Sequence, residues 1–127
     1  ARSKGNDAAI QSDLSTVQTQ AEIYYGNTGN RYGTNLLLAS GGAAGCNGLP
    51  IDPTLFADPG SIKNAIAGAE TANGGVFISC NVAALGVAYA ISSPLASTPA
   101  LFWCVDSTGF AGQRITALGT ATACPAT

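Results

Sequence analysis

The chain has 127 residues, of which only 9 % are charged, with a formal net charge of −2. That length suits one domain whose core buries roughly two-thirds of the unfolded surface, and ordinary soluble proteins carry roughly 25 % charge. The longest apolar run, residues 82–91, is about half a bilayer span. Arg2, Lys4, Arg31, Lys63 and Arg114 are too dispersed to form the basic patch a polyanion needs, so there is no strong nucleic-acid signal.

The clearest pattern comes first. Ile10, Leu14, Val17, Ala21, Tyr24 and Tyr25 follow steps of three and four, which places them on one helical stripe. Ser12, Ser15, Thr16, Thr19 and Glu22 fall on other faces, and no proline interrupts the segment before Gly26-Asn27. A helix over 4–25 is roughly 33 Å long. Gly5 and Asn6-Asp7 mark either a kink or a local cap. The pattern also fits an ordinary amphipathic helix opening a domain.

Residues 26–50 are rich in Gly and Asn, with one apolar stretch at 36–39, and read as a long connection. Residues 53–58 form a short helical turn capped by Asp52, with Pro53 at the first position. After Pro59-Gly60, Ser61 caps a second helix with Ile62, Ile66 and Ala69 along one side, ended by Asn73-Gly74-Gly75. From there the chain turns β-prone. Residues 76–80, 86–91 and 100–105 read as antiparallel strands, with a fourth at 112–116. Helix followed by strands predicts an α+β fold, a long amphipathic helix on a 3–4-stranded antiparallel sheet. The chain reads as one domain, 1–127: a spine over 1–25, a loop with short helices over 26–74, and sheet and tail over 75–127.

Cys46, Cys80, Cys104 and Cys124 contain no C-x-x-C pair, and the chain has no histidine to complete a mixed metal site. An even count at wide spacing reads as two disulfides made in an oxidising compartment, with three pairings open. The chain begins at Ala1 rather than Met, which suggests processing or a removed segment.

Catalytic signals are missing. Without histidine there is no Ser-His-Asp or Cys-His arrangement, and Lys4 and Lys63 lie in segments with no supporting motif. Gly41-Gly42-Ala43-Ala44-Gly45 lacks the Lys-Ser/Thr of a phosphate loop. Asp52 and Asp58 are the nearest carboxylate pair, and a cap and surface role is the favoured reading. Asp106-Ser107-Thr108-Gly109 offers one carboxylate where calcium wants six or more oxygens, so a turn is the default. No enzyme, metal or cofactor is expected.

Three stretches resemble the type IV pilin family. They are Ala1-Arg2-Ser3-Lys4-Gly5-Asn6-Asp7-Ala8-Ala9-Ile10-Gln11-Ser12-Asp13-Leu14, the helix exit Tyr24-Tyr25-Gly26-Asn27, and Trp103-Cys104-Val105-Asp106-Ser107-Thr108-Gly109. The first is similar to the stretch just beyond the membrane-spanning half of the pilin helix, the second to the entry of the αβ-loop, the third to a late strand of the head. The family's cleavage site and the apolar segment after it are absent, which the resemblance reads as removal ahead of Ala1.

The resemblance implies a pilin-like head that acts as a structural subunit of a bacterial filament on the cell surface. Its precursor would be anchored in the inner membrane and engage assembly machinery there through the missing helix. Its partners would be copies of itself or related pilins, with Ala8, Ala9 and Ser12 permitting close helix approach. A filament results when the rotation between copies does not close. The alternatives are a secretion pseudopilin, or a minor pilin or secreted binding module using Trp103, Tyr89 or Tyr32. The same resemblance favours pairing Cys104 with Cys124 and Cys46 with Cys80.

Overall fold

The computed structural model describes residues 2–33, 37–40, 46, 54–57, 60–76 and 78–127. Helix α1, Arg2–Asn27, has 26 residues, a rod of about 39 Å at 1.5 Å per residue. It runs continuously through Gly5, Asn6 and Asp7, so that segment does not cap it. At the exit Gly29 and Asn30 turn left-handed (φ 73° and 62°), and the Asn30 N–H donates to Tyr25 O at 2.9 Å. Both residue types tolerate that conformation, which stops the helix.

Strand β1, Leu37–Ser40, comes next. Its apolar residues belong to the sheet, where the sequence suggested only part of a connection. Leu55–Ala57 is a 3₁₀ turn; Asp52, Pro53 and Asp58 lie outside the described residues, as do Gly41-Gly42-Ala43-Ala44-Gly45 and most of the glycine-rich connection. Helix α2, Ser61–Ala72, starts at Ser61 itself with Gly60 in the cap position and no side-chain cap bond. Ser61 is therefore not the cap. α2 buries Ile62, Ala65, Ile66 and Ala69 on one side and stops at Asn73, whose N–H donates to Ala69 O.

The remaining strands are β2 (Ser79–Val82), β3 (Tyr89–Pro94), β4 (Phe102–Asp106) and β5 (Ala111–Arg114). With β1 they form a five-stranded sheet in the order β1-β2-β3-β4-β5, antiparallel throughout. The fold is α+β, as expected, with one strand more than the upper count. Three of the four strands expected from sequence begin two or three residues later than expected, and β5 begins one residue earlier.

Residues alternate across a strand, and the register sorts them. Cys80, Ile91 and Val105 align across β2, β3 and β4, with Val82 opposite Tyr89. These join Ile10, Leu14, Val17 and Ala21 of α1 and the buried side of α2 in the main core. The other face aligns Asn81, Ala90 and Asp106, and Ser79, Ser92, Cys104 and Gly112. A second, smaller core forms there from Ala90, Cys104 and Leu118, with Cys124 against it. Helices therefore cover one face and the C-terminal tail the other.

Candidate assembly surface

The helix stripe read from the sequence divides in two. Ile10, Leu14, Val17 and Ala21 are fully buried. Tyr24 and Tyr25 are half-buried and pack against the core's edge. Tyr25, Tyr32, Tyr89 and Phe56 form a chain of rings with centroids 4.7, 4.8 and 6.1 Å apart. Tyr32 donates its O–H to Glu22 Oε1 at 2.9 Å. Burial first, then the Glu22 carboxylate, push the phenols of Tyr32 and Tyr89 above their ordinary range. Tyr32 and Tyr89 are buried and Trp103 packs on the main core, so all three serve the interior.

On the opposite side of α1, Gly5, Ala8, Ala9, Ser12, Ser15, Thr16, Thr19 and Ile23 are all exposed. At 100° per residue they form one strip about five turns long. No charged side chain stands among them, and Ile23 is the one large apolar group, 52 % exposed. A solvent-facing helix surface is ordinarily charged; here small side chains leave the rod open to close approach.

Two side chains brace the rod against the sheet. Asp7 Oδ1 accepts from the Ala96 N–H at 2.7 Å and the Ser97 N–H at 3.1 Å, and Oδ2 accepts from Ser97 Oγ. Gln18 Nε2 donates to Phe110 O at 3.1 Å. One ties α1 to the β3–β4 connection, the other to the β4–β5 turn. Burial raises the Asp7 carboxyl, but the three donors from Ser97 and Ala96 outweigh it and hold it below its usual range. A depressed folded-state value means stability that is present above the unfolded value and lost as pH falls through the folded one. Asp7→Asn should therefore melt lower than the parent at pH 7, with the gap closing below about pH 4. Thermal melts between pH 2 and 7 check this; a gap constant with pH refutes it. Asp13, beside Gly68 of α2, has the opposite sign, because burial raises its carboxyl.

The cysteines pair as Cys46–Cys80 and Cys104–Cys124, with Cα–Cα distances of 5.5 and 6.0 Å. Asp106 is the hub of the β4–β5 turn. Its Oδ1 accepts from the Thr108 N–H at 2.9 Å, the Phe110 N–H at 3.3 Å and the Thr108 hydroxyl. Its Oδ2 accepts from the Cys124 N–H at 2.7 Å. These donors use the carboxylate as a turn anchor, the default role expected of Asp106. Among the described residues no group of three or more His, Cys, Asp or Glu could hold a metal, and no helix is long and apolar enough to cross a membrane.

The sequence reading missed Asp7 as a brace and the bond that Asp106 accepts from the Cys124 N–H. Asp106 carried a local signal, the Asp-Ser-Thr-Gly turn, whereas Asp7 and Ser97 stand 90 residues apart.

The arrangement defines a disulfide-bonded α+β fold with a helical rod on one sheet face and a covalently tied tail on the other. Compared with protein-family models, curated proteins and solved structures, the chain matches none.

Proposed function

We propose that the chain is the head of a type IV pilin-like subunit that assembles with copies of itself into an extracellular bacterial filament. The observation that carries this reading is the uncharged, small-residue strip on the exposed side of a rod whose other side is sealed in its own core. Neighbouring helices can approach such a strip closely, because no long charged chain must be desolvated or displaced. Each contact is modest, and helical repetition multiplies it. Two disulfides suit an oxidising compartment. In the pilin-like reading an apolar half-helix ahead of this segment anchors the precursor in the inner membrane, where assembly machinery engages it.

Bulky substitution on the strip tests the proposal. Ala8→Trp combined with Ser12→Trp adds volume where both side chains are exposed, so the purified head should melt within a few degrees of the parent. Cells producing the full-length variant should show at least about tenfold fewer filaments by electron microscopy. Normal filaments from a stably folded variant would refute the assignment. Deleting the gene separates a pilus subunit from a secretion pseudopilin of the same geometry: the first loses surface filaments, the second loses secreted proteins.

A further inference from the structure

The tail after β5 is held by its main chain rather than by its side chains. Asn81 Nδ2 donates to Gly119 O at 2.9 Å and to Ala121 O at 2.7 Å, and the Cys124 N–H donates to Asp106. Leu118 is the tail's one buried apolar side chain, seated on Ala90 and Cys104. At the ends, Arg114 Nε donates to Pro125 O, and the Ile115 and Thr116 N–H groups donate to Thr127 O. Residues 115–117, which lead from β5 to the covered face, are all exposed.

The cover is also an incomplete fit. Asn81 Oδ1 and Ser92 Oγ, on the covered face, are buried with no hydrogen-bond partner among the described residues. A segment with no secondary structure over residues 115–127 and one apolar anchor is ordered against a large conformational entropy, so its position depends on the Cys104–Cys124 bond. That bond has an accessible side: Cys124 is half-buried, whereas Cys46, Cys80 and Cys104 are fully buried.

We propose that residues 118–127 are an exchangeable strap, and that the outer sheet face of one copy accepts the strap of a second copy, closed by an interchain Cys104–Cys124 disulfide. Asn81, Asp106, Arg114, Ala90 and Cys104 lie on the sheet and their partners on the strap, so these contacts can be remade between copies; 115–117 is the hinge, and the Ile115 and Thr116 bonds to Thr127 O open with it. Domain exchange of this kind uses an interface the fold already contains. The chemistry is thiol–disulfide exchange. The thiolate of a small thiol attacks Cys124 Sγ, forming a mixed disulfide and releasing the Cys104 thiolate. That thiolate attacks Cys124 Sγ of the mixed disulfide on a second copy and expels the small thiol. Two intrachain bonds become two interchain bonds, the thiol is regenerated, and nothing is oxidised or reduced overall. This inference is independent of the filament reading.

Reclosure within one chain competes with an effective concentration on the order of 1 mM, which sets the experiment. Equal amounts of unlabelled and nitrogen-15-labelled protein are incubated with reduced and oxidised glutathione, quenched with an alkylating agent, digested without reduction and read by mass spectrometry. At about 1 mM protein, about a quarter of the Cys104–Cys124 linked peptides should join one light and one heavy chain. At about 0.1 mM the share should drop to roughly a twentieth. The Cys46–Cys80 peptides should stay unmixed, and a dimer should appear by size-exclusion chromatography. The proposal is overturned if glutathione fails to open the bond, or if the bond opens yet its peptides stay all-light or all-heavy at 1 mM. Equal mixing of the Cys46–Cys80 pair also overturns it, because global unfolding then accounts for the exchange.

Discussion

Replacing Asp106 by alanine should cost about 3–5 kcal/mol of folding free energy and lower Tm by roughly 10–20 °C. The side chain is almost fully buried and accepts from three main-chain N–H groups, those of Thr108, Phe110 and Cys124. Hydrogen bonds to a charged acceptor contribute about 1.5–3 kcal/mol each, and donors left unpaired in the interior add their desolvation cost. Solvent around exposed Thr108 and Gly109 refills part of the loss, which keeps the total below the simple sum.

Asp106→Asn sharpens the test. Its oxygen can still serve the turn, but its NH₂ then faces the Cys124 N–H, donor against donor. The asparagine variant should fall between parent and alanine, with faster amide exchange at Cys124 and little change at Phe110. Urea titration gives the free energies and hydrogen exchange the site. Equal losses for both variants would mean that the Cys124 contact contributes little and that the tail is held by other means.

Gly86→Ala should be comparably damaging, at about 3 kcal/mol or more, for a reason in the backbone. Gly86 has φ 69°, and a left-handed alanine costs roughly 1–2 kcal/mol. A β-carbon there would also stand 2.0 Å from Gly33 O, a main-chain atom that no rotamer change can move. The β2–β3 turn would have to withdraw from residues 32–33, breaking the bond from the Tyr32 N–H to Gly86 O. Loss of protection at the Tyr32 amide should accompany the loss of stability. If that amide stays protected and Tm holds, the turn adapts and the close approach is not structurally required. Leu85 next to it also sits at φ 65° but points outward, 62 % exposed. Conformation alone is therefore tolerated in this turn, and the collision at Gly86 is what makes the difference.

The α+β class and the rod were legible because their signals are local. A stripe at steps of three and four survives in any environment that covers one side of a helix, and Ile10, Leu14, Val17 and Ala21 are all fully buried. Strand boundaries were less legible. β2, β3 and β4 are covered on both faces, so Ser79 to Val82 and Tyr89 to Pro94 carry no clean alternation of polar and apolar residues, and a one-face template misplaces them. β1 was missed because a four-residue apolar stretch amid glycines has no periodicity to measure.

By itself the chain's chemistry determined three things: a helix with one oily side, a later run of strands, and four cysteines without the partners a mixed metal site needs. Those depend on neighbours a few residues apart, where spacing translates directly into geometry. Only the tertiary structure decided that the tail crosses the outer sheet face, that Asp7 grips the β3–β4 connection, and that Asp106 answers to Cys124. These contacts join groups 18 to 90 residues apart, each side chain using one to three hydrogen bonds. A contact made by single polar atoms leaves no repeating pattern in the chain, so it becomes visible only when packing brings its two halves together.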